Sequence, residues 1–368
     1  MCAAMIPGAY LSLEYLLGMG TWLLLGVVAL VACLRLRRLS HDRPRHKRWI
    51  DRLLGLWMLL ALLTLPEGCY ALFYDTTDSF DLMNTSKRWS AMHVVLNDAG
   101  YRDPHEFPPP PRSDRRLVCF VGDSFTFGHG VPYVADRFSD RVGAALEAQH
   151  PGGFHVSNIG VPGFGLRNVK HLLATDLLEL DPAIGVVVYT IVLNDIDSFD
   201  EHTARYYEGI NRGRPRLFLF RHTYFYNFLY FRFVQSTQPE IREYFSYLES
   251  SYAGAPWNRM KQSLAALSQL CHANGVELRV VIFPFLHNAG PDYPFLDAHK
   301  RIARFCETSG IPVLDLEPVF REHAGKNLVV NMFDAHPNER AHAIAADAIE
   351  RHLLADLFAL DPPARSEQ

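Results

Sequence analysis

The chain has 368 residues, 49% of them hydrophobic and 21% charged, with a net charge of -4. That length accommodates one large domain plus something smaller. The near balance of charge excludes a global basic field, so no nucleic-acid partner is expected.

The amino-terminal region reads as a membrane hairpin. Tyr15 to Leu34 runs for 20 residues without a charge, long enough to cross a bilayer and too long for a signal-peptide core. A second apolar run, Leu53 to Tyr74, is interrupted by Pro66 and Glu67. Between the two lie Arg35, Arg37, Arg38, Arg43, Arg45, Lys47, Arg48 and Arg52, while Lys and Arg are missing before Arg35 and from Arg52 to Lys87. The positive-inside rule puts this basic loop in the cytoplasm and everything after Tyr74 outside it. A single span followed by an amphipathic surface helix is the alternative, because the second run is weaker. The six cysteines (Cys2, Cys33, Cys69, Cys119, Cys271 and Cys306) lack metal-ligand spacing and read as small buried apolar residues rather than a disulfide framework. Asp75 to Arg116 reads as a linker ending in the tetraproline Pro108–Pro111, an extended spacer.

From Leu117 the pattern alternates. Apolar runs at Leu117–Val121, Phe154–Ile159, Gly185–Val192, Val276–Phe283 and Pro312–Leu316 predict buried parallel strands. Helices are predicted at Ala135–His150, Leu166–Leu180, Trp257–Asn274 (closed by Gly275), Leu296–Ser309 and Asn338–Phe358. Such alternation predicts a flavodoxin-like three-layer α/β/α domain with a parallel sheet of about five strands, preceded by the transmembrane hairpin. The expected organisation is 1–74 for the membrane anchor, 75–116 for the linker and 117–360 for the catalytic domain. An insertion at 205–256 breaks the alternation. Its stretch from Leu217 to Val234 holds nine Phe or Tyr residues, with Arg216, Arg221 and Arg232 close by. A lid, a pocket wall, a membrane-resting face and a packed cap helix all fit it.

Four segments at expected strand ends carry chemistry. Gly122-Asp123-Ser124 follows the first strand, where a turn can expose a serine hydroxyl and free its N–H to bind an oxyanion. Asn158 to Gly165 follows the second and offers glycine N–H groups. Asn194 follows the third, with an amide able to donate where charge develops. Asp334-Ala335-His336 precedes the last helix, and an imidazole oriented by a carboxylate is the usual base for a serine.

In this order, the segments resemble the SGNH superfamily, the GDSL esterases and lipases, from about Leu117 to Leu354. The resemblance implies Ser124 as nucleophile, His336 as base and Asp334 as its partner. It implies an oxyanion hole of the Ser124 N–H, the Gly163 N–H (Gly160 being the less favoured choice) and the Asn194 amide. The stretch Leu96–Asp103 before the Gly-Asp-Ser is similar to that of many bacterial envelope members. Two positions depart from the family: Val192-Leu193 stands where Gly-x usually precedes the Asn, and Asp334 lies two residues from His336 rather than three. Periplasmic alginate O-acetyltransferases share the Asp-x-His spacing. The expected function is therefore a membrane-anchored serine esterase acting on an acyl ester, acetyl foremost, of a glycan or lipid. It needs no metal and no cofactor, and its catalytic domain lies on the periplasmic side of the inner membrane. O-acetyl transfer to an envelope or secreted polysaccharide is the second reading, and non-catalytic carbohydrate binding the third.

Overall fold

The computed structural model describes residues 10–40, 42–107, 115–177, 184–204, 207–208 and 213–360. The tetraproline, Cys2 and the end of the helix expected to reach Leu180 lie outside the described residues. The principal elements are α1 (Leu13–Leu39), α2 (Pro44–Leu72), α3 (Asn84–His93), β1 (Arg116–Gly122), α4 (Ser124–Phe127), α5 (Phe138–Gln149), β2 (Phe154–Gly160), α6 (Leu166–Leu172), β3 (Ile184–Val192), α7 (Phe218–His222) and α8 (Phe225–Thr237). There follow α9 (Pro239–Ala253), α10 (Ala255–Ala273), β4 (Glu277–Phe283), α11 (Leu296–Thr308), β5 (Val313–Asp315), α12 (Glu317–Arg321), β6 (Val329–Asn331), β7 (Asp334–Pro337), α13 (Glu339–Ala348) and α14 (Ala355–Phe358). The chain divides into two compact units, Met1–Met92 with Asn211–Thr237, and His93–Ile210 with Gln238–Gln368.

In the second unit, β1 to β5 form a parallel sheet in the order β2-β1-β3-β4-β5, the flavodoxin-like order. Continuous apolar runs form these strands because helices cover both faces of such a sheet. Val118 to Val121 of β1 and Val186 to Val188 of β3 are fully buried. The order puts β1 between β2 and β3, so the loops leaving these three strands open side by side at their carboxyl ends, where ligands of open α/β sheets bind.

In the first unit, α1 and α2 are two helices long and apolar enough to cross a membrane. Trp57 Nε1 donates to the Gly26 carbonyl at 2.8 Å, and Arg37 meets Asp51 at 2.6 Å beside the basic loop. Pro66 and Glu67, which interrupt the second apolar run, do not interrupt the helix. α2 runs through Pro66 to Leu72, and Glu67 spends its carboxylate elsewhere: it accepts the N–H groups of Tyr224 (2.7 Å) and Phe225 (2.9 Å) at the start of α8. Within the stretch expected to be a linker, Asn84–His93 is a helix. Its Arg88, buried, donates to the carbonyls of Tyr70, Ala71 and Tyr74 that α2 leaves open at its end.

Other boundaries also differ. The helix expected from Ala135 starts at Phe138, because Arg137 is extended, with ψ 151°. The first free N–H of that helix, on Phe138, donates to Nδ1 of His342 at 3.2 Å. The closing helix is three pieces, with a π-type turn at Ile349–Leu353 between α13 and α14. Asp334 and His336, expected on a loop, lie on β7, which pairs antiparallel with β6.

Candidate active site

β1 ends at Gly122, and Ser124 opens the one-turn helix α4. Asp123 caps that turn, its Oδ1 accepting the Phe125 N–H at 2.9 Å. Gly128 closes it in the left-handed region, at φ 74°, where a side chain would be strained. Gly122 is not there for turn freedom, since its φ is not left-handed. It is a glycine for space: a Cβ there would collide with Thr126 Oγ1. The loop after α4 is tied from behind by two buried arginines. Arg102 donates to the carbonyls of Gly128 and Val131, both at 2.7 Å. Arg137 donates to the Arg102 carbonyl at 2.5 Å and holds Asp140 with both arms, at 2.9 and 3.0 Å. Burial, with Arg137 nearby, pulls the Arg102 guanidinium down to about 10.

β7 brings the partners of Ser124. Side chains two apart on a strand share a face, so the Asp-x-His spacing aims carboxylate and imidazole the same way. His336 Nε2 lies 2.8 Å from Ser124 Oγ. Its Nδ1 lies 2.5 Å from Asp334 Oδ1, which also accepts the His336 N–H at 3.1 Å. Asp334 is buried and His336 nearly so. The rings of Phe125 and His129 flank the imidazole, at 5.4 and 4.6 Å between centroids.

His129 was not legible as a site residue. Its Nε2 lies 3.7 Å from Asp334 Oδ2, the carboxylate oxygen that His336 does not use. Together His129, Asp334 and His336 form a buried cluster with ligand atoms within 4.8 Å of one another. A two-His, one-carboxylate set is chemically able to hold a metal, but here two of its members already bond each other and one bonds Ser124. In sequence, the only signal was a histidine five residues after the serine, between two glycines.

The residues expected as further donors lie at the ends of the flanking strands. Gly163 lies on the turn that leaves β2, at φ 80°, and no acceptor holds its N–H among the described residues. The Gly160 N–H, by contrast, is taken by Asn158 Oδ1 at 2.9 Å. Asn158 itself lies within β2, not after it. Its Nδ2 donates to Thr126 O (2.6 Å) and Ser139 Oγ (2.7 Å), and Asp103 accepts its N–H at 2.6 Å, which makes it structural. Asn194 follows β3 and turns its Nδ2 to Asp123 Oδ2 at 3.5 Å, a long contact. Its segment is pinned on both sides: Tyr252 Oη donates to the Leu193 carbonyl at 3.0 Å, and Tyr189 Oη to Asp195. Burial pushes the Asp123 carboxyl up to about 6, against the pull of the Phe125 N–H and His336. Burial also raises Asp195 well above the usual carboxylate range, and nearby Asp123 adds to the rise.

His342, the nearest alternative base in sequence, is fully buried. Besides accepting the Phe138 N–H, its ring stacks on that of Phe138 at 5.4 Å. Burial, then Arg137, lowers it to about 3, so it stays neutral and serves packing.

Among solved structures, the chain is similar to a catalytic mutant of an acetylxylan esterase from Geobacillus stearothermophilus, with 16% identity, a TM-score of 0.41, and coverage of 68% of this chain and 97% of that one. A member of the lipolytic protein G-D-S-L family from Veillonella parvula matches at 14% identity and a TM-score of 0.38, over 64% of this chain and 97% of that one. A two-domain esterase active on acetylated mannans matches at 17% and 0.39, over 69% and 53%. No curated protein matches the sequence. Residues 120–344, a span holding Ser124, Asp334 and His336, match the GDSL-like Lipase/Acylhydrolase family, and the chain belongs to that family of ester-hydrolysing enzymes.

Proposed function

We propose that the chain is a membrane-anchored serine esterase in which Ser124, His336 and Asp334 act in line. One observation carries this reading: Ser124 Oγ, His336 and Asp334 are linked by hydrogen bonds of 2.8 and 2.5 Å. Asp334 holds the proton on Nδ1, which leaves Nε2 as the acceptor facing the serine. Nε2 takes the Ser124 proton as Oγ attacks the ester carbonyl. The oxygen that gains charge is bound by the N–H groups of Ser124 and Gly163 and by the Asn194 amide, each worth on the order of 3 kcal/mol of barrier. His336 returns the proton to the departing alcohol, and water repeats the sequence on the acyl-enzyme. The substrate class is an acyl ester of a glycan or lipid, with acetyl the first group to assay.

α1 and α2 anchor this domain, and the basic loop between them faces the cytoplasm. The catalytic domain, from about residue 117 to 360, then works on the periplasmic side of an inner membrane. The two-residue Asp-x-His spacing supports a second reading, transfer of the acyl group to a sugar hydroxyl instead of water. Purified full chain, incubated with an activated acetyl ester with and without polysaccharide acceptors, separates the two. Free acetate alone supports hydrolysis, and acetylated glycan supports transfer. Inertness toward acyl esters, together with failure of Ser124 to react with a fluorophosphonate, would sink both.

A further inference from the structure

The aromatic stretch from Leu217 to Val234 has no part in the site just described, yet its construction is specific. α7 and α8 belong to the same compact unit as α1 and α2. α8 is largely apolar up to Val234, with Asn227 and Arg232 its polar residues there. One side packs on α2, with Phe228 5.2 Å from Tyr70. The other side is bare: Leu229 and Phe233 are 44% and 69% exposed, as are Phe218 and Leu219 of α7 at 48% and 46%. A helix whose open face meets water carries polar residues there.

The corner between the two helices is built for a place without water. Glu67 accepts the Tyr224 and Phe225 N–H groups. Asn84 Nδ2 donates to the carbonyls of Arg221 and Thr223, both at 2.8 Å, and Asn227 Nδ2 to that of Phe220 at 2.6 Å. Backbone groups that solvent would ordinarily satisfy are thus satisfied by side chains, as hydrocarbon surroundings require.

The contacts also fix a depth. Tyr15 meets Tyr224 edge-on at 5.0 Å, Tyr226 Oη donates to the Leu63 carbonyl at 2.7 Å, and the Phe218 ring lies directly over Gly18. All these partners lie at the ends of α1 and α2 remote from the basic loop. Tyr15 and Arg35 are separated by a rise of about 30 Å, the thickness of the hydrocarbon core. Tyr15 and its neighbours therefore mark the opposite boundary, the depth at which aromatic residues collect.

We propose that α7 and α8 form a lipid-contacting collar, in which Phe218, Leu219, Leu229 and Phe233 lie in the boundary between headgroups and acyl chains of a phospholipid bilayer. Glu67 is the internal cap that lets α8 begin there. The proposal rests on the reading of α1 and α2 as membrane spans. A groove on the same unit, bounded by Leu17, Gly18, Thr21 and Phe218 with Glu14 and His222 at its polar side, offers an acyl chain a mainly apolar wall.

The test uses the full chain in phosphatidylcholine nanodiscs. Cys2, Cys33 and Cys69 are changed to serine. Cys119, Cys271 and Cys306 are buried, and burial raises the last two to about 12, so they remain inert. Single cysteines at Leu229→Cys or Phe233→Cys carry a bimane fluorophore. Leu25→Cys in α1 serves as the lipid reference and Tyr133→Cys as the water reference, both positions being exposed. Unchanged circular dichroism qualifies each variant. The expected result is that labels at 229 and 233 lose most of their fluorescence to a nitroxide lipid and resist aqueous iodide, as the Leu25 label does. If 229 and 233 instead follow Tyr133 while Leu25 is quenched by lipid, the collar is overturned and the spans stand. If the Leu25 label is itself open to iodide, the spanning reading fails and the collar falls with it.

Discussion

The two halves of the candidate site are held by opposite means. The Ser124 half is braced from behind by buried cations: Arg102 seizes the carbonyls of the loop after α4, and Arg137 in turn holds the Arg102 carbonyl. The Asp334–His336 half is carried on a short strand instead. It is aimed by the alternation of a short strand, which places both side chains on one face. The difference teaches where damage should show. Injury to the first half should appear as lost stability, and injury to the second as lost activity in a folded protein.

The largest expected effect breaks the second half without touching its chemistry. One alanine inserted between Ala335 and His336 turns the imidazole to the opposite face of β7. Activity should fall roughly 10⁴-fold, as it does on removal of a triad member. The melting temperature should move little. An inserted variant that keeps its rate would show that the strand does not aim the base.

Arg102→Ala should do the reverse. It leaves the buried Val131 carbonyl without its Arg102 donor, at about 1–3 kcal/mol, and takes from the Gly128 carbonyl the stronger of its two donors, the Val131 N–H remaining at 3.1 Å. Urea unfolding should show a loss of about 3 kcal/mol or more, while the folded fraction still labels at Ser124. Full stability would remove the arginine brace from the account.

This division also explains what the sequence made visible. Parallel strands covered on both faces are continuous apolar runs, so all five strands of the main sheet could be read. Ser124, Asp334 and His336 sit in compact local patterns that could be singled out. What escaped was long-range. Asp-Ala-His-Pro has no strand signature, and β7 exists because β6 pairs with it. Glu67 looked like a break in an apolar run because its partners, Tyr224 and Phe225, lie far along the chain. The bracing by Arg102 and Arg137 could not be read, since their carbonyl partners leave no trace in residue types. The end of α13 at a π-type turn was hidden because apolar periodicity continues through it.

Asn194→Ala tests the proposed third donor, which lies beside the Ser124 half. Loss of one oxyanion donor should lower the acylation rate roughly 100-fold with the fold intact. An unchanged rate with normal circular dichroism would take Asn194 out of the site.

Asp123→Asn sharpens the claim that the nucleophile half shows itself through stability. Burial raises the Asp123 carboxyl from its ordinary 3.8 to about 6, so the folded state holds the proton more tightly than the unfolded chain does. Stability from that proton is present below about pH 4 and is lost as pH rises through about 6. The asparagine variant has no proton to lose. Relative to the parent, it should therefore gain about 3 kcal/mol between acid and neutral pH. A difference that stays flat with pH would mean that Asp123 does not titrate in this window.

The smallest effect belongs to His129 and decides whether it supports the second half. Its Nε2 lies 3.7 Å from Asp334 Oδ2, too far for a full hydrogen bond but close enough to favour the carboxylate electrostatically. It acts on the reaction through Asp334, which makes it a positioning residue. His129→Phe keeps a ring beside His336 and removes the nitrogen. A drop in kcat of roughly tenfold, about 1.4 kcal/mol, is expected, with KM unchanged and no change in unfolding midpoint. Because its influence passes through the carboxylate, the substitution should add little in an Asp334→Asn background. A full tenfold loss in that background would give His129 a separate role at the site. No loss in either would leave strand alternation as the sole support of the base.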